Sequence, residues 1–199
     1  MSLGRRLPLR KDCCRSALSV VLLLLALARC DAESTVKRLF PVPGLVNICP
    51  DTPLRITFEG VPSLGSSGSI RIYRSSDHHP VDSLDLKAPR FTNSVGGRVV
   101  CYDPFFISGK TVSVQLHSHV LEAGESYQVE IDREVFNAVG GTPFEGIGEG
   151  GAWNFTTRAT GKPAKIASPR ITVSSEGSGD FCTLQGAVDA VPDDNQRPV

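Results

Sequence analysis

A mainly β fold, a two-sheet sandwich, is what the larger part of this 199-residue chain predicts. Three observations carry the prediction. Between Val36 and Thr157, apolar residues recur at every second position in several short runs, the period of a strand with one buried face. Glycine- and proline-containing turns separate the runs, and helical periodicity is largely absent. An apolar fraction of 40% is enough to fill a core. Short alternating strands at this density belong to a sandwich of two packed sheets.

Taken in order, the chain opens on a basic stretch, "GRRLPLRK", followed by "ALSVVLLLLALA", an apolar run from Ala17 to Ala28. A membrane-spanning helix needs about 20 such residues, so the run is short for an anchor. Small residues suited to cleavage follow in "ALA" (26–28) or "CDA" (30–32). Residues 1–32 therefore read as a secretory signal peptide, and the protein as exported. Arg29 stands where a lipoprotein signal requires a small residue before Cys30, and the residues after Arg5-Arg6 fit twin-arginine export poorly.

Residues 33–157 form the expected sandwich. "PLRITFE" alternates Leu54, Ile56 and Phe58 against Arg55, Thr57 and Glu59. "SIRIYRS" repeats the pattern with Ile70 and Ile72 after a "GSSG" turn. "TVSVQLHSH" puts Val112, Val114 and Leu116 on one face, "SYQVEIDREVF" does so with Tyr127, Val129 and Ile131, and "AWNFTT" closes with Trp153 and Phe155. "RATGKPAKIASPR" follows, polar, basic and aperiodic, so residues 158–168 read as a linker. "ITVSS" (171–175) is a short strand and "EGSGD" a turn. A helix begins after Thr183, whose hydroxyl can cap it, with Leu184, Ala187, Val188 and Val191 on one face. Pro192 and Asp193-Asp194 end it. Gly186 inside that helix costs about 1 kcal/mol relative to alanine, so packing must hold it.

Charge excludes one class of partner. Lys+Arg and Asp+Glu both number 21, which gives no reason to expect nucleic-acid binding. Without residues 1–32, which hold six basic and two acidic side chains, the remainder has 15 basic and 19 acidic, a net charge of −4. Of the six cysteines, Cys13, Cys14 and Cys30 lie in or beside the signal, leaving Cys49, Cys101 and Cys182. Cys49 and Cys101 share the sandwich segment and could form a disulfide, worth about 4 kcal/mol for a loop of that size. The other reading of the two is a pair of small buried thiols. No C-x-x-C spacing supports a zinc ribbon or redox motif.

Two resemblances add to this. "LFPVPGLVNICPDTPLRITFEG", "LEAGESYQVEID" and "WNFTT" resemble the bacterial Ig-like domains of the SbsA type, which implies an Ig-like β-sandwich. "ITVSSEGSGDFCTLQGAVDAVPDDNQRPV" resembles the opening of a pectinesterase (pectin methylesterase) domain. That resemblance implies a right-handed parallel β-helix, with residues 169–199 as its N-terminal edge: a strand and a cap helix whose Ala187, Val188 and Val191 await the first coil. It implies a secreted parent enzyme that hydrolyses methyl esters of pectin in cell-wall modification, with methylated pectin as its partner and no cofactor. The family's catalytic aspartates lie in motifs beyond this opening, and none of those motifs occurs here. No catalytic, cofactor or metal residue is carried over, Asp180 reads as a turn residue, and the fragment is expected to be inactive alone. The alternative is a non-catalytic secreted Ig-like module that binds carbohydrate or spaces domains.

Other constellations yield to plainer readings. "GIGEGG" (146–151) satisfies Gly-x-Gly-x-x-Gly, but precedes a strand and not a helix, so it reads as a glycine loop. His117 and His119 have the spacing of a metal-ligand pair, on a strand face shared with Gln115 that reads as solvated. His78-His79 falls in a turn, no Gly-x-Ser-x-Gly elbow occurs, and Asn154-Phe155-Thr156 is a formal sequon. Trp153, Tyr73, Tyr102 and Tyr127 could stack on sugar rings, although Trp153 and Tyr127 sit in the core register. "VVCYDPFFISG" (99–109), with Tyr102, Phe105 and Phe106, is the best candidate for an exposed aromatic patch.

Overall fold

Alternation decides the sheets. Three strands with every second residue buried, β3 (Leu54–Phe58), β4 (Ser69–Arg74) and β9 (Thr111–Val114), line the interior with Leu54, Ile56, Phe58, Ile70, Ile72, Val112 and Val114, all fully buried. The computed structural model describes residues 35–95, 98–137, 143–148, 152–159 and 170–191, all within one unit, Ser34–Val199. The signal reading of residues 1–32, most of the expected linker and the residues after 191 lie outside the described set.

One sheet has four strands in the order β1 (Val36–Phe40), β3, β9, β8 (Phe105–Ser108). The other has five, in the order β2 (Leu45–Ile48), β11 (Asn154–Thr157), β10 (Ser126–Ile131), β4, β5 (His79–Asp85). A separate hairpin pairs β6 (Thr92–Val95) with β7 (Arg98–Cys101). Pairing is antiparallel within both sheets except between β11 and β2, which run parallel. The chain is thus mainly β, and its sheets enclose one core.

Aromatic residues fill one region of that core. Phe58, Phe136 and Phe144 pack edge to face, with ring centroids 5.1–5.9 Å apart. Trp153 and Tyr127 are fully buried, and each finds a hydrogen-bond partner. Trp153 Nε1 donates to the Pro41 carbonyl at 2.7 Å, and Tyr127 Oη accepts from the Glu122 amide at 2.7 Å. The sequence's core register for both residues therefore holds.

Strand β9 stops at Val114, well before the His117 expected on it. Gln115 N still reaches the Pro104 carbonyl, but the buried Asp82 carboxylate then takes the His117 amide and Asn93 Oδ1 takes the Ser118 amide. His119 turns to φ 64°. Side chains outcompete the ladder here, so His117 and His119 lie in a loop and not on a strand face.

The helix α1 spans Leu184–Asp189, with Thr183 as its N-cap accepting from Gly186 N at 2.9 Å, as the sequence indicates. Its surroundings differ from expectation. It packs on the sandwich and caps no solenoid: Ala187 is buried, whereas Leu184 and Val188 are 75% and 64% exposed. No coil of a β-helix occurs among the described residues. A parallel bridge between Val173 and Phe181 is the whole of the β structure from Arg170 to Val191. Of the residues read as a waiting cap, Val188 is open to solvent, Val191 is half-buried and Ala187 is buried.

Candidate functional site

The turn that joins β2 to β3, Cys49-Pro50-Asp51-Thr52-Pro53, gathers the most concentrated chemistry in the described residues. Cys49 follows the last residue of β2 and is fully buried. A bond from Thr52 N to the Cys49 carbonyl at 3.1 Å tightens the turn around Asp51. Against it lies the segment 177–186, which carries Cys182, 4% exposed, just before α1.

Asp51 binds that segment. Its Oδ2 accepts from Thr183 N at 2.7 Å, Thr183 Oγ1 at 2.8 Å and Cys182 N at 3.0 Å, while Oδ1 is also 3.0 Å from Cys182 N. A carboxylate placed over the unpaired amides at a helix start satisfies both charge and hydrogen bonding. The helix comes so close that a Cβ at Gly186 would overlap the Asp51 carboxylate. Gly186 is therefore required by contact with Asp51, which accounts for a residue that otherwise weakens a helix. Gly177 plays a similar part at φ 83°, where a Cβ would lie 2.5 Å from Ile48 Cδ1.

Arg158, directly after β11, closes the other side. Its Nη2 donates to Cys49 Sγ at 2.8 Å and to the Gly179 carbonyl at 3.0 Å, and its backbone amide bonds the Ile48 carbonyl at 2.8 Å. One sulfur atom from each cysteine and one carboxylate oxygen of Asp51 all lie within 4.8 Å of one another. The two thiols titrate as a pair. Cys49 is held well above its ordinary range by its hydrogen bond to Cys182 and by burial, with Arg158 opposing. Cys182, which receives that hydrogen bond, is lowered, against burial and the nearby Asp51 charge.

A cleft of about 230 Å³ adjoins the cluster, and its lining includes Asp51, Arg158, Thr183 and Gly186 together with His117, Ser118 and His119. His117 Nδ1 lies 2.6 Å from Asp82 Oδ1, and Tyr102 packs edge-on against the imidazole. Burial pushes the Tyr102 phenol up to about 12. Asp82 thereby fixes the ring and the loop together. The spacing of His117 and His119 brings them to one cleft, but among the described residues they join no group of three metal-ligating side chains.

The structure places several residues that the sequence singles out. Cys49 and Cys101 are free thiols, one buried and one exposed on β7, and the structure brings Cys49 to Cys182 instead. Of the proposed aromatic patch, Phe105 is buried and Phe106 is 69% exposed. Ile147 of the glycine loop bridges Ile131, with no helix following among the described residues. Asp180 serves its turn, accepting from Thr172 N at 2.8 Å and Thr172 Oγ1 at 2.6 Å.

No family model matches the chain, and no curated protein matches it. Among solved structures, it is similar to CopC from Methylosinus trichosporium OB3b at 12% identity, covering 63% of this chain and 94% of that one, with a TM-score of 0.33. A likeness at that level carries no inference about this chain.

The pectinesterase reading is overturned with these findings. Neither a family match nor a β-helix stands behind it, and with it go pectin as partner, pectin hydrolysis as the parent function, and the cap-helix role of residues 169–199. The physical reason lies in what the resembling residues do. Gly177, Gly179, Asp180, Thr183 and Gly186 are accounted for by local demands: close approach to Ile48, to the 172–174 backbone and to Asp51, a turn bond to Thr172, and a helix cap. A turn followed by a capped helix calls for these residue types in many folds.

Proposed function

We propose that this chain is a metal-binding β-sandwich protein, with Cys49, Cys182 and Asp51 as ligands for a thiophilic divalent cation of the zinc type. The observation that carries the reading is convergence. Residues 49, 51 and 182 come from opposite ends of the described chain, yet their donor atoms lie within 4.8 Å of one another. Tetrahedral zinc with bonds to sulfur of about 2.3 Å places two thiolates about 3.8 Å apart, so modest side-chain adjustment completes the set.

Donor chemistry and charge both agree. Thiolates select soft and borderline cations over magnesium or calcium. Asp51 Oδ2 is taken up by Thr183 and Cys182, whereas Oδ1 has only the shared Cys182 amide and keeps lone-pair capacity. Two thiolates and a carboxylate against a divalent ion leave one negative charge, which the Arg158 guanidinium beside Cys49 balances. Such an outer partner orients a metal thiolate and stabilises it. The bound ion would fasten residues 170–191 to the β2–β3 turn. An export signal in residues 1–32 and an Ig-like class for the sandwich complete the reading, on the sequence patterns described above.

Cobalt(II) provides the test, because thiolate coordination to it gives a near-ultraviolet charge-transfer band. The reduced full-length chain is expected to develop that band at one equivalent and to lose it on adding zinc. Cys49→Ser and Cys182→Ser should each abolish it. Titration of the reduced, folded chain with no charge-transfer band overturns the proposal.

A further inference from the structure

We propose that Cys49 and Cys182 form a reversible dithiol–disulfide couple, whose closure staples residues 170–191 to the sandwich and releases the metal. The metal-release half rests on the function proposed above; the cross-link itself does not.

Geometry selects the pair. The two sulfurs already lie within 4.8 Å of each other, and the Asp51 bonds to the Cys182 and Thr183 amides hold the two segments that carry them together. Cys101 is exposed on the β6–β7 hairpin and does not belong to the cluster. The surroundings also tolerate the loss of both S–H groups. The contacts of Cys49 Sγ to carbonyl oxygens are long, 3.9 Å to Gly177 and 3.8 Å to Gly179, and Arg158 Nη2 reaches the same two carbonyls at 3.4 and 3.0 Å. Oxidation therefore leaves those buried acceptors with a donor.

The chemistry requires an oxidant, and a small-molecule disulfide such as oxidised glutathione supplies it. The Cys182 thiolate attacks one sulfur of that disulfide, whose S–S bond breaks to release one small thiolate. Cys49, having lost its proton, then attacks the Cys182 sulfur of the mixed disulfide and displaces the second small thiolate. Two protein thiols lose two protons and two electrons, and two small thiols are formed, so atoms and electrons balance. Both sulfur ligands are consumed in the new bond. Asp51 is left as the sole ligand of the three, and a cation held by one carboxylate dissociates.

Peptide mapping of the full-length chain without reduction tests the cross-link, after incubation with oxidised glutathione and blocking of free thiols with iodoacetamide. The peptide containing Cys49 is expected to be joined to that containing Cys182, lighter by two hydrogens than their sum, in the wild type and in Cys101→Ser. Alkylation of both cysteines, or a link from Cys49 to Cys101, overturns it. Cobalt titration of the same samples separates the two proposals. Reduced protein should bind and oxidised protein should not. Cross-linking without binding by the reduced form removes the metal reading and leaves the staple. Binding without cross-linking, or binding that survives cross-linking, overturns the couple as a switch.

Discussion

The sandwich and the segment 170–191 are held by different forces. The sandwich buries Leu54, Ile56, Phe58, Ile70, Ile72, Val112, Val114, Trp153 and their neighbours completely, so the hydrophobic effect dominates its stability. The segment contributes only Phe181, Cys182 and Ala187 as buried apolar residues. Its attachment runs through Asp51, Arg158 and sulfur, aided by an exposed pair between Arg55 and Glu176 at 2.8 Å. Polar and sulfur contacts respond to protons, metal and oxidant in a way that apolar burial does not. One part of the molecule is therefore built to persist and the other to be fastened.

The largest effect belongs to the first region. Trp153→Ala empties a fully buried site and leaves the Pro41 carbonyl without its donor. It is expected to cost about 3–5 kcal/mol, read as a lower denaturant midpoint for the whole sandwich. An effect below 1 kcal/mol would mean the core does not depend on that packing.

Next in size is Asp51→Ala, which removes the acceptor of the Cys182 and Thr183 amides. About 1–3 kcal/mol of attachment should be lost. Hydrogen exchange should speed up at residues 181–190 while β3, β4 and β10 stay protected. Loss of protection in both regions together would erase the distinction between them.

The smallest effect is electrostatic and lies on the sandwich. Asp132 receives two bonds from Arg71, the shorter at 2.5 Å, and one from Ser69 N, and these hold its carboxyl below the usual range. A lowered carboxyl contributes stability that is present above its unfolded pKa and lost as pH falls through the folded value. Because both partners are about a third exposed, the contribution is under about 1 kcal/mol. Asp132→Asn should flatten the acid limb of the stability profile by that amount; an unchanged limb would show the pair to be inert.

What the sequence disclosed follows the same division. The strands with buried alternate residues, β3, β4, β9, β10 and β11, were legible as period-two runs. Strands β1, β7 and β8 were not, because they pair at sheet edges or in a hairpin with little burial, and β7 is exposed throughout. In β5 the register shifts between the pairs Ile72–Asp82 and Tyr73–Pro80, which blurs its alternation. Thr183 announced its helix because capping is local. The cysteine pair stayed hidden because its members are 133 positions apart and an expected linker lay between them. Assigning Cys182 to a separate domain left Cys101 as the apparent partner of Cys49. Counting three cysteines outside the signal was the available signal, and it could not say which two would meet.

The close fit of Gly186 against Asp51 has a consequence for inheritance. Position 186 is not free to vary alone: any residue larger than glycine there collides with the Asp51 carboxylate. Among descendants of this chain, departures from glycine at 186 should therefore arise together with a shorter residue at 51. Two positions separated by most of the chain would then drift as a single unit of descent.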